Sequence, residues 1–192
     1  MKFSLSREAL LSPLQLVVGV VERRQTLPIL SNVLLRLEGN RLSMTGTDLE
    51  VEIKGSTEVV SSMEEGEVTV SARKILDICR SLPEGAQVDF LSSDGKAQIV
   101  SGRSRFTLAT LPANEFPSVD EGEQNVEFTV QGTVLRNLID ATSFAMAQQD
   151  VRYYLNGMLW EVTQNQLRAV ATDGHRLAFV MHPARFLCQR LR

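Results

Sequence analysis

The chain has 192 residues, of which 43% are hydrophobic and 22% charged; this composition is typical of a globular protein and excludes extensive disorder. Its formal net charge of −3 argues against a protein that binds nucleic acid through overall charge, although it is compatible with a locally basic face. The N-terminus lacks a continuous apolar segment, and no stretch approaches the roughly 18 apolar residues of a membrane span, so the sequence predicts neither export nor membrane insertion.

The first predicted elements are a short strand over residues 2–5 and a helix. The helical pattern places several apolar residues on one face: Leu10, Leu14, Val17, Val18 and Val21. Pro13 leaves two starting points open. Either Ser12 caps a helix that has Pro13 in its first turn, or the helix begins at Arg7 and bends at Pro13.

A series of strands and a second helix follow. Alternating polarity and turn residues predict strands at residues 32–37, 42–47, 49–54, 67–70, 87–90, 96–101 and 105–110. Ser71 is the predicted N-cap of a helix over residues 72–82, which Pro83-Glu84-Gly85 ends. This order of elements predicts an α+β domain in which two helices pack on antiparallel sheet.

Residues 3–53 and 128–178 form a sequence repeat at a constant offset of 125 positions. Matching pairs are Phe3 with Phe128, Leu10 with Leu135, Leu30 with Leu155, Leu34 with Leu159, Asn40 with Asn165, Leu42 with Leu167, Thr47 with Thr172 and Asp48 with Asp173. The stretch 111–124 contains two prolines and an acidic run, as interdomain linkers do. We assign domain one to residues 1–120, a linker to 121–125, a partial domain two to 126–182 and a divergent tail to 183–192. A tandem unit is typical of proteins that form an extended surface or a ring rather than one central active site.

The sequence of the second copy predicts the same order of elements, but fewer of them. It restarts over residues 126–130, the region of the first strand's counterpart, and continues with a helix near 134–147 and strands near 157–162, 167–172 and 176–181. Residues 68–110 have no counterpart in it. We therefore expect an incomplete second domain that lacks one helix and about half its strands, with a core open on one side.

Positive charges recur on and beside the predicted helices, at Arg23, Arg24, Arg73, Lys74, Arg80, Arg136 and Arg152. An ordinary solvated helix face is the simpler interpretation. The alternative is a curved surface that presents cations to a phosphate backbone without reading base sequence. The offset aligns Arg24 with Gln149, so each copy has a long polar side chain at the same position.

The chain's only two tyrosines, Tyr153 and Tyr154, follow Arg152 directly. Neighbouring residues of a strand cannot both point inward, so we expect at least one exposed ring. Exposed aromatic rings beside arginine are suited to stacking on unpaired bases. An equally good interpretation is that one ring packs inside and the other lies at an edge.

Residues 172–176 combine Asp173 with His175, as an acid–base site would. No second carboxylate, nucleophile or metal-ligand spacing completes such a site, and the common nucleotide, zinc and hydrolase motifs do not occur in the sequence. A turn between two strands is the simpler explanation. Because these motifs do not occur, we predict no metal, no cofactor and no enzymatic activity. Cys79 and Cys188 lie far apart in the sequence, so we predict that both are reduced thiols.

The segment Arg103-Ser104-Arg105-Phe106 pairs two cations with an aromatic residue on a late strand. Such a strand is either an edge protected against aggregation by its charges or an interface that receives a partner.

Several long segments closely resemble the bacterial DNA polymerase III sliding clamp, the beta subunit: TLPILSNVLL (26–35), LSMTGTDLEVE (42–52), ARKILDICRSLPEGA (72–86), SGRSRFTLATLPANEFP (101–117), AQQDVRYYLNGM (147–158) and VATDGHRLA (170–178). The resemblance implies tandem clamp domains and a head-to-tail dimer with three similar domains per chain, which forms a ring around duplex DNA. Such a ring tethers the polymerase and holds DNA by topology. It therefore needs few phosphate contacts, which reconciles a mildly acidic chain with a locally basic bore.

The resemblance also implies roles for individual residues. The DNA contacts would be Arg24, Arg73, Gln149, Tyr153 and Tyr154, with single-stranded DNA bound at the tyrosines. A cleft for short peptide motifs of the replicative polymerase, the clamp loader and repair proteins would include Leu155, Thr172, Gly174, His175, Arg176 and Leu177. The domain-one side of the dimer interface would include Lys74, Arg103, Arg105, Phe106 and Leu108. The resemblance further implies a cytoplasmic protein with no membrane partner.

The resemblance runs from Met1 to about Val180, and residues 182–192 have neither the expected strand continuation nor its polarity. One hypothesis is therefore a truncated or frame-shifted clamp, or a fragment. The expected function is a clamp that slides on duplex DNA and gives the polymerase its processivity. The alternative is a free-standing module that binds clamp-partner peptides or single-stranded DNA without ring closure, and a nuclease that uses Asp173 and His175 is a distant third.

Overall fold

The computed structural model describes residues 1–21, 27–117 and 128–183. The chain divides into two compact units, Met1–Asp120 and Glu121–Arg192, called unit one and unit two below. The predicted linker at 121–125 and residues 184–192 of the predicted tail lie outside the described residues. Among the helices that are described, none combines the length and the hydropathy needed to cross a membrane.

Unit one is an antiparallel sheet of nine strands that carries two helices. Its strands are β1 Lys2–Ser6, β2 Asn32–Glu38, β3 Arg41–Thr47, β4 Glu52–Glu58, β5 Ser61–Glu64, β6 Gly66–Ser71, β7 Gln87–Ser93, β8 Lys96–Ser101 and β9 Ser104–Leu111. They are ordered β4-β3-β2-β6-β9-β8-β7-β1-β5. The helices are α1 Arg7–Val17 and α2 Ala72–Ser81, so the predicted α+β arrangement with two helices is confirmed for this unit.

Helix α1 begins at Arg7, which decides between the two starts that Pro13 left open. Ser6 is the N-cap, and its hydroxyl oxygen accepts a hydrogen bond from the Ala9 N–H at 3.2 Å. Pro13 therefore lies inside the helix, where it is buried. The β4 residue Gly55 makes room for it, because a Cβ at Gly55 would lie only 2.9 Å from the Pro13 Cβ.

Helix α2 buries an apolar face and exposes a charged one. Ile75, Leu76 and Cys79 are buried, whereas Arg73 and Lys74 are exposed. The side chain of Arg7 on α1 donates from Nε to the Cys79 carbonyl oxygen at 2.8 Å, so it satisfies a backbone acceptor of the last turn of α2. The core of unit one lies between these helices and the sheet.

In unit one, one predicted strand start was wrong, one strand was not predicted, and one predicted cap makes no capping hydrogen bond. Strand β4 begins at Glu52 rather than at Leu49, because a tight turn with Leu49 at φ +79° separates β3 from β4. Strand β5 is not predicted by the sequence, since its four residues lack a buried apolar face; it forms by pairing with β1. At the N-cap position of α2, the Ser71 side chain makes no capping hydrogen bond.

Unit two repeats the first part of unit one. Its described elements are α3 Gly132–Thr142, β10 Leu159–Thr163, β11 Gln166–Thr172 and β12 Leu177–Pro183, with the strands in the order β10-β11-β12. The offset of 125 maps α1 onto α3, β3 onto β11 and β4 onto β12 with identical bounds. Strand registers also agree, because the β2–β3 pair Leu37↔Leu42 becomes the β10–β11 pair Val162↔Leu167. The sequence repeat is therefore a repeat of backbone structure.

Two expectations for unit two need correction. Residues 128–130 are not in a strand, so the predicted restart has no strand in the part that is described; residues 126 and 127 lie outside that part. Strand β12 runs to Pro183, and its last two residues, His182 and Pro183, pair with Leu167 and Gln166. The expected strand continuation is thus present at residues where the sequence suggested that it was missing.

The core of unit two is open on one side, as the sequence predicts. Leu135 and Ile139 on α3 are 37% and 39% exposed, whereas their counterparts on α1, Leu10 and Leu14, are fully buried. In unit one α2 packs against α1, whereas α3 is the only α-helix among the described residues of unit two. Within those residues the apolar face of α3 is therefore partly exposed.

Candidate functional site

Residues 172–176 form a tight turn between β11 and β12. The Asp173 carboxylate accepts hydrogen bonds from the backbone N–H groups of His175 and Arg176, both at 2.9 Å. The Thr172 hydroxyl accepts from the Gly174 N–H and donates to the Arg176 carbonyl oxygen. Gly174 has φ +88°, a conformation that strains residues with a side chain. The interpretation of this motif as a turn is confirmed.

Unit one contains the same turn between β3 and β4. The Asp48 carboxylate accepts hydrogen bonds from the N–H groups of Glu50 and Val51, and the Thr47 hydroxyl accepts one from Leu49. The threonine and the aspartate are therefore explained by turn architecture in both copies. His175 has no histidine counterpart in unit one, where Glu50 takes its place.

Two carboxylates of this region, Asp173 and Asp150, each accept several hydrogen bonds. Backbone hydrogen bonds from His175 and Arg176, together with the Arg176 guanidinium at 2.9 Å, lower the pKa of Asp173 to about 2. The Arg152 side chain and its backbone N–H lower the pKa of Asp150 to about 2. A carboxylate with so low a pKa is a poor proton acceptor at neutral pH, so neither residue is suited to general base catalysis.

A compact loop over residues 147–156 precedes β10. Asp150 accepts two hydrogen bonds from the Arg152 guanidinium, at 3.0 and 2.9 Å, and the Asn156 side chain bonds to the backbone of Asp150 in both directions. The Leu155 N–H donates to the Arg152 carbonyl oxygen, and the Leu155 carbonyl oxygen accepts from the Ala147 N–H. Hydrogen bonds within the loop thus fix the position of Leu155.

The two tyrosines of this loop are both exposed. Tyr153 and Tyr154 have 83% and 67% of their surface accessible, and their rings meet edge to face with centroids 6.0 Å apart. They begin a short 3-10 helix rather than a strand, so the alternation that would turn one ring inward does not apply. The interpretation in which one tyrosine packs inside is wrong for this structure.

Arg152 lies against the turn. A Cβ added to Gly174 would be 3.3 Å from Nη2 of Arg152, so the glycine leaves the space that the guanidinium occupies. On the same turn, Arg176 places its guanidinium carbon 5.7 Å from the ring centroid of Phe144, which is 60% exposed. The six residues predicted for a peptide cleft therefore lie on one loop, one adjoining turn and the start of β12: Leu155, Thr172, Gly174, His175, Arg176 and Leu177.

The predicted DNA contacts that are described lie in both units. Gln149, at φ +57°, is exposed on the same loop as Tyr153 and Tyr154 in unit two. Arg73 is exposed on the charged face of α2 in unit one. Arg24 lies outside the described residues.

Four of the five predicted interface residues lie on strand β9 or directly before it. Arg103 and Arg105 are exposed and Phe106 is half-buried, while Lys74 is exposed on α2. β9 pairs with β8 along residues 104–109 but with β6 only at Thr110 and Leu111, so its other edge has no strand partner among the described residues over 104–109. Leu108 does not fit an accessible interface, because it is 7% exposed and packs in the core of unit one.

Sequence reasoning assigned no site role to Asp150 or Phe144, and it considered Arg152 only as a possible phosphate contact and as the arginine beside the two tyrosines. The spacing Asp150-x-Arg152 is a signal for a local ion pair, but nothing in the sequence places Arg152 beside Gly174. Phe144 follows the end of α3 in a short 3-10 helix, where the helical periodicity no longer predicts which side chains face solvent.

The two α+β units pair their strands in the same register and pack helix on antiparallel sheet. This repeated arrangement is that of the DNA clamp class of proteins. Residues 1–120 match the family model of the DNA polymerase III beta subunit, N-terminal domain, and residues 129–186 match that of its central domain. The chain belongs to the DNA polymerase III beta subunit family. The second match extends beyond Val180, so the family pattern continues further than the sequence resemblance suggested.

Named relatives and solved structures agree with this family. The chain is 62% identical over 178 residues to the Beta sliding clamp of Pseudomonas putida. The aligned residues cover 93% of this chain and 48% of the relative. For the Beta sliding clamp of Escherichia coli strain K12 the identity is 52% over 183 residues, covering 95% and 50%. The crystal structure of the DNA polymerase III subunit beta from Pseudomonas aeruginosa superposes with a TM-score of 0.93 at 58% identity, covering 98% of this chain and 51% of that one. A DnaN sliding clamp from the same species bound to griselimycin superposes with a TM-score of 0.92 at 59% identity, covering 97% and 50%. This chain spans about half the length of these relatives.

Proposed function

We propose that the chain works in DNA replication as a sliding clamp, which encircles duplex DNA, slides along it and tethers the replicative polymerase. The observation that carries the proposal is the match of the two units, in order, to the N-terminal and central domains of the beta subunit. In this role the chain is a non-catalytic processivity factor. The low pKa of Asp173 supports this, because it makes the carboxylate beside His175 a poor proton acceptor at neutral pH.

Duplex DNA is the first proposed ligand. Exposed cations on α2, Arg73 among them, are suited to phosphate contacts that carry no base specificity. The net charge of −3 keeps the overall attraction weak. Weak, sequence-independent contact is what a sliding protein needs, since strong neutralisation of phosphates would hold it in place.

Single-stranded DNA is the second proposed ligand, at the loop that carries Gln149, Tyr153 and Tyr154. The two rings are exposed and perpendicular, so each offers a face to an unpaired base. Replacing both tyrosines by alanine is expected to weaken binding of a single-stranded oligonucleotide about tenfold or more and to leave duplex binding nearly unchanged. Fluorescence anisotropy measures both, and Val151→Ala, on the same exposed loop, is the matched control.

Short peptide motifs of the replicative polymerase, the clamp loader and repair proteins are the third class of ligand. The loop and turn that meet at Arg152 and Gly174 offer the exposed Leu177 and the half-buried Leu155 beside two arginines. Apolar side chains beside positively charged groups fit a peptide that has both hydrophobic and acidic residues.

A second copy of the protein is the proposed partner for ring formation, through Lys74, Arg103, Arg105, Phe106 and neighbouring backbone of β9. The support is the strand edge at residues 104–109, which can accept another strand by backbone hydrogen bonding.

Retention on circular DNA tests the proposal as a whole. The purified chain is loaded with a clamp loader and ATP on a nicked circular plasmid, and gel filtration follows before and after the plasmid is linearised. A sliding clamp is expected to elute with the circle and to be lost from the linear form. Equal retention on both forms, or retention on neither, would contradict the proposal. Binding to oligonucleotides and peptides without topological retention would instead identify the free-standing interaction module.

A further inference from the structure

Unit one is itself built from two similar halves. Each half consists of a strand, a helix and three further strands: β1, α1, β2, β3 and β4 in the first half, and β6, α2, β7, β8 and β9 in the second. The halves exchange their first strands, since β1 pairs with β7 and β6 pairs with β2. The register of the two pairings is the same, because Leu5↔Val88 in one corresponds to Val70↔Val33 in the other. The contacts between the halves are therefore reciprocal, as around a two-fold axis.

The helices of the two halves pack against each other in unit one. Leu10 and Leu14 on α1 and Ile75 and Cys79 on α2 occupy equivalent positions of their helices, and all four are fully buried in one core cluster. Each helix thus covers the apolar face of the other. A half without its counterpart would expose these positions.

The described part of unit two corresponds to one such half. Its elements α3, β10, β11 and β12 match α1, β2, β3 and β4, and its described residues contain no second α-helix. The positions that pack between the helices of unit one are apolar here as well, since they are Leu135 and Ile139. Both are more than one third exposed. Unit two therefore has the apolar face of a half, but this face is not covered.

The strands of unit two agree with this interpretation. Residues 32–33 of β2 pair with β6 but not with β3, and their counterparts Gly157 and Met158 are not in a strand, so β10 begins only at Leu159. β10 is an edge strand among the described residues. Thr129 and Val130, the counterparts of residues 4–5 in β1, are not in a strand either. Each of these segments is a strand in unit one because the other half pairs with it.

We propose that unit two binds unit two of a second copy of the chain, so that the two copies together form one complete domain. In this dimer α3 of one chain packs on α3 of the other through Leu135 and Ile139, as α1 packs on α2. Val130 of each chain pairs with Met158 of the other, as the exchanged first strands do in unit one. The internal symmetry of unit one identifies the partner, because each half there is covered by a half of the same fold. Two identical halves turn this approximate symmetry into a true two-fold axis.

This contact is separate from the one proposed for ring formation. The ring contact uses β9 and α2 of unit one, whereas the contact between two copies of unit two uses α3, residues 129–130 and the free edge of β10. Ordering these segments costs free energy, so we expect a weak dimer that is half-formed at roughly 10–500 µM. At about 1 µM the chain is then monomeric, and Leu135 and Ile139 are exposed.

Sedimentation equilibrium of the full chain between about 5 and 500 µM tests the proposal, over the range where weak dimers form. The average mass is expected to rise with concentration towards twice that of one chain. Leu135→Glu and Ile139→Glu each place a charge in the buried contact, so each is expected to raise the dissociation constant about tenfold or more.

Asn137→Glu is the matched control for these two variants. It adds the same charge to α3, but its counterparts Ser12 and Asp77 are exposed in both halves of unit one, so position 137 lies outside the proposed contact. This variant is expected to dimerise as the unchanged chain does. Trp160 fluorescence at about 1 µM shows whether unit two of each variant is folded, because Trp160 packs against its core.

Hydrogen exchange gives a second readout that needs no substitution. Strand pairing between the copies protects backbone amides, so exchange at residues 129–130 and 157–158 is expected to slow as the concentration of the unchanged chain rises from about 5 to about 500 µM. Residues 104–109 report the ring contact instead, because they form the free edge of β9. The two contacts between copies are thereby distinguished.

Three results would overturn the proposal: a mass that stays at one chain over the whole range, glutamate variants at positions 135 and 139 that dimerise as well as the unchanged chain, or protection that rises at residues 104–109 and not at 129–130 and 157–158. The exchange experiment decides the question even if both glutamate variants fail to fold.

Discussion

Leu49 and Gly174 occupy the same position of the same turn, with φ +79° and +88°, but only one of them is glycine. The turn is therefore held by the side chains of the preceding threonine and aspartate, and these are strong enough to keep a leucine in a left-handed conformation. In unit two the glycine has a second role, because Arg152 occupies the space beside it.

Gly174→Ala is expected to destabilise unit two by about 1 kcal/mol, since a Cβ is strained at positive φ and would also push Arg152 away. The only tryptophan, Trp160, packs against the core of unit two, so its fluorescence during urea unfolding reports this unit. Gly157→Ala is the control, because Gly157 has φ −117° and free space around it. Equal unfolding midpoints for the two variants would show that a side chain at position 174 causes no backbone strain.

The low pKa values of Asp150 and Asp173 predict how pH acts on the loop and the turn. Both carboxylates have a lower pKa in the folded state, about 2, than the ordinary value of 3.8. Their ionised forms therefore stabilise the fold above about pH 4, and this contribution is lost as the pH falls from about 4 to about 2. Neutral and mildly acidic pH should leave both segments unchanged.

Amide chemical shifts of Arg152, His175 and Arg176 measure this effect, and we expect their titration midpoints near pH 2. Asp173→Asn keeps an oxygen that can accept the backbone hydrogen bonds but removes the charge, so it should abolish the transition at His175 and leave the one at Arg152. Midpoints near 3.9, the value of an unperturbed aspartate, would show that the hydrogen bonds do not persist in solution.

At the scale of elements, the two serines before α1 and α2 occupy equivalent positions but make different contacts. Ser6 accepts a hydrogen bond from the Ala9 N–H, whereas the Ser71 side chain makes no capping hydrogen bond. Ser6→Ala is therefore expected to destabilise unit one by about 1 kcal/mol, and Ser71→Ala by a few tenths at most. Urea unfolding followed by far-UV circular dichroism distinguishes them, and equal losses would mean that Ser71 also caps its helix in solution.

Elements with a strong hydrophobic period were predictable from the sequence, although the bounds in unit two differ: the helix expected near 134–147 is α3 Gly132–Thr142. The start of β4 was not predictable, because the alternating pattern continues through residues that side-chain hydrogen bonds fold into a turn. β5 has no apolar pattern of its own and forms only because β1 offers it an edge. Pairing of this kind is tertiary information, which a local pattern does not contain.

The candidate site was predictable to a similar degree. The Asp-Gly turn follows from local sequence, and the family resemblance supplied the roles of the turn and the tyrosines. Exposure of both tyrosines did not follow, because the sequence pattern was interpreted as a strand with at least one exposed ring. The contact between Arg152 and Gly174 did not follow, since it depends on how Asn156 and Asp150 close the preceding loop. The burial of Leu108 was missed because a strand residue beside an interface and a strand residue in a core have the same pattern.

At the scale of the molecule, the two units have the same elements but unequal cores. The described residues of unit one form one large cluster around α1, α2 and the sheet, and a small one around Phe116. Those of unit two form two small clusters, around Leu138 and around Ala145. Since stability grows with the apolar area that folding buries, unit two should unfold at the lower denaturant concentration.

A matched pair of substitutions tests this inequality. Leu10→Ala removes a fully buried side chain and is expected to destabilise unit one by roughly 2–5 kcal/mol, because it leaves a cavity in a closed core. Leu135→Ala, at the corresponding position of unit two, removes a side chain that is already 37% exposed and should cost about 1 kcal/mol or less. Leu14→Ala and Ile139→Ala form a second pair with the same expectation. Trp160 fluorescence reports unit two, and far-UV circular dichroism reports both units, with most of the helices and strands in unit one. If Leu135→Ala were as costly as Leu10→Ala, the apolar face of α3 would be covered in solution.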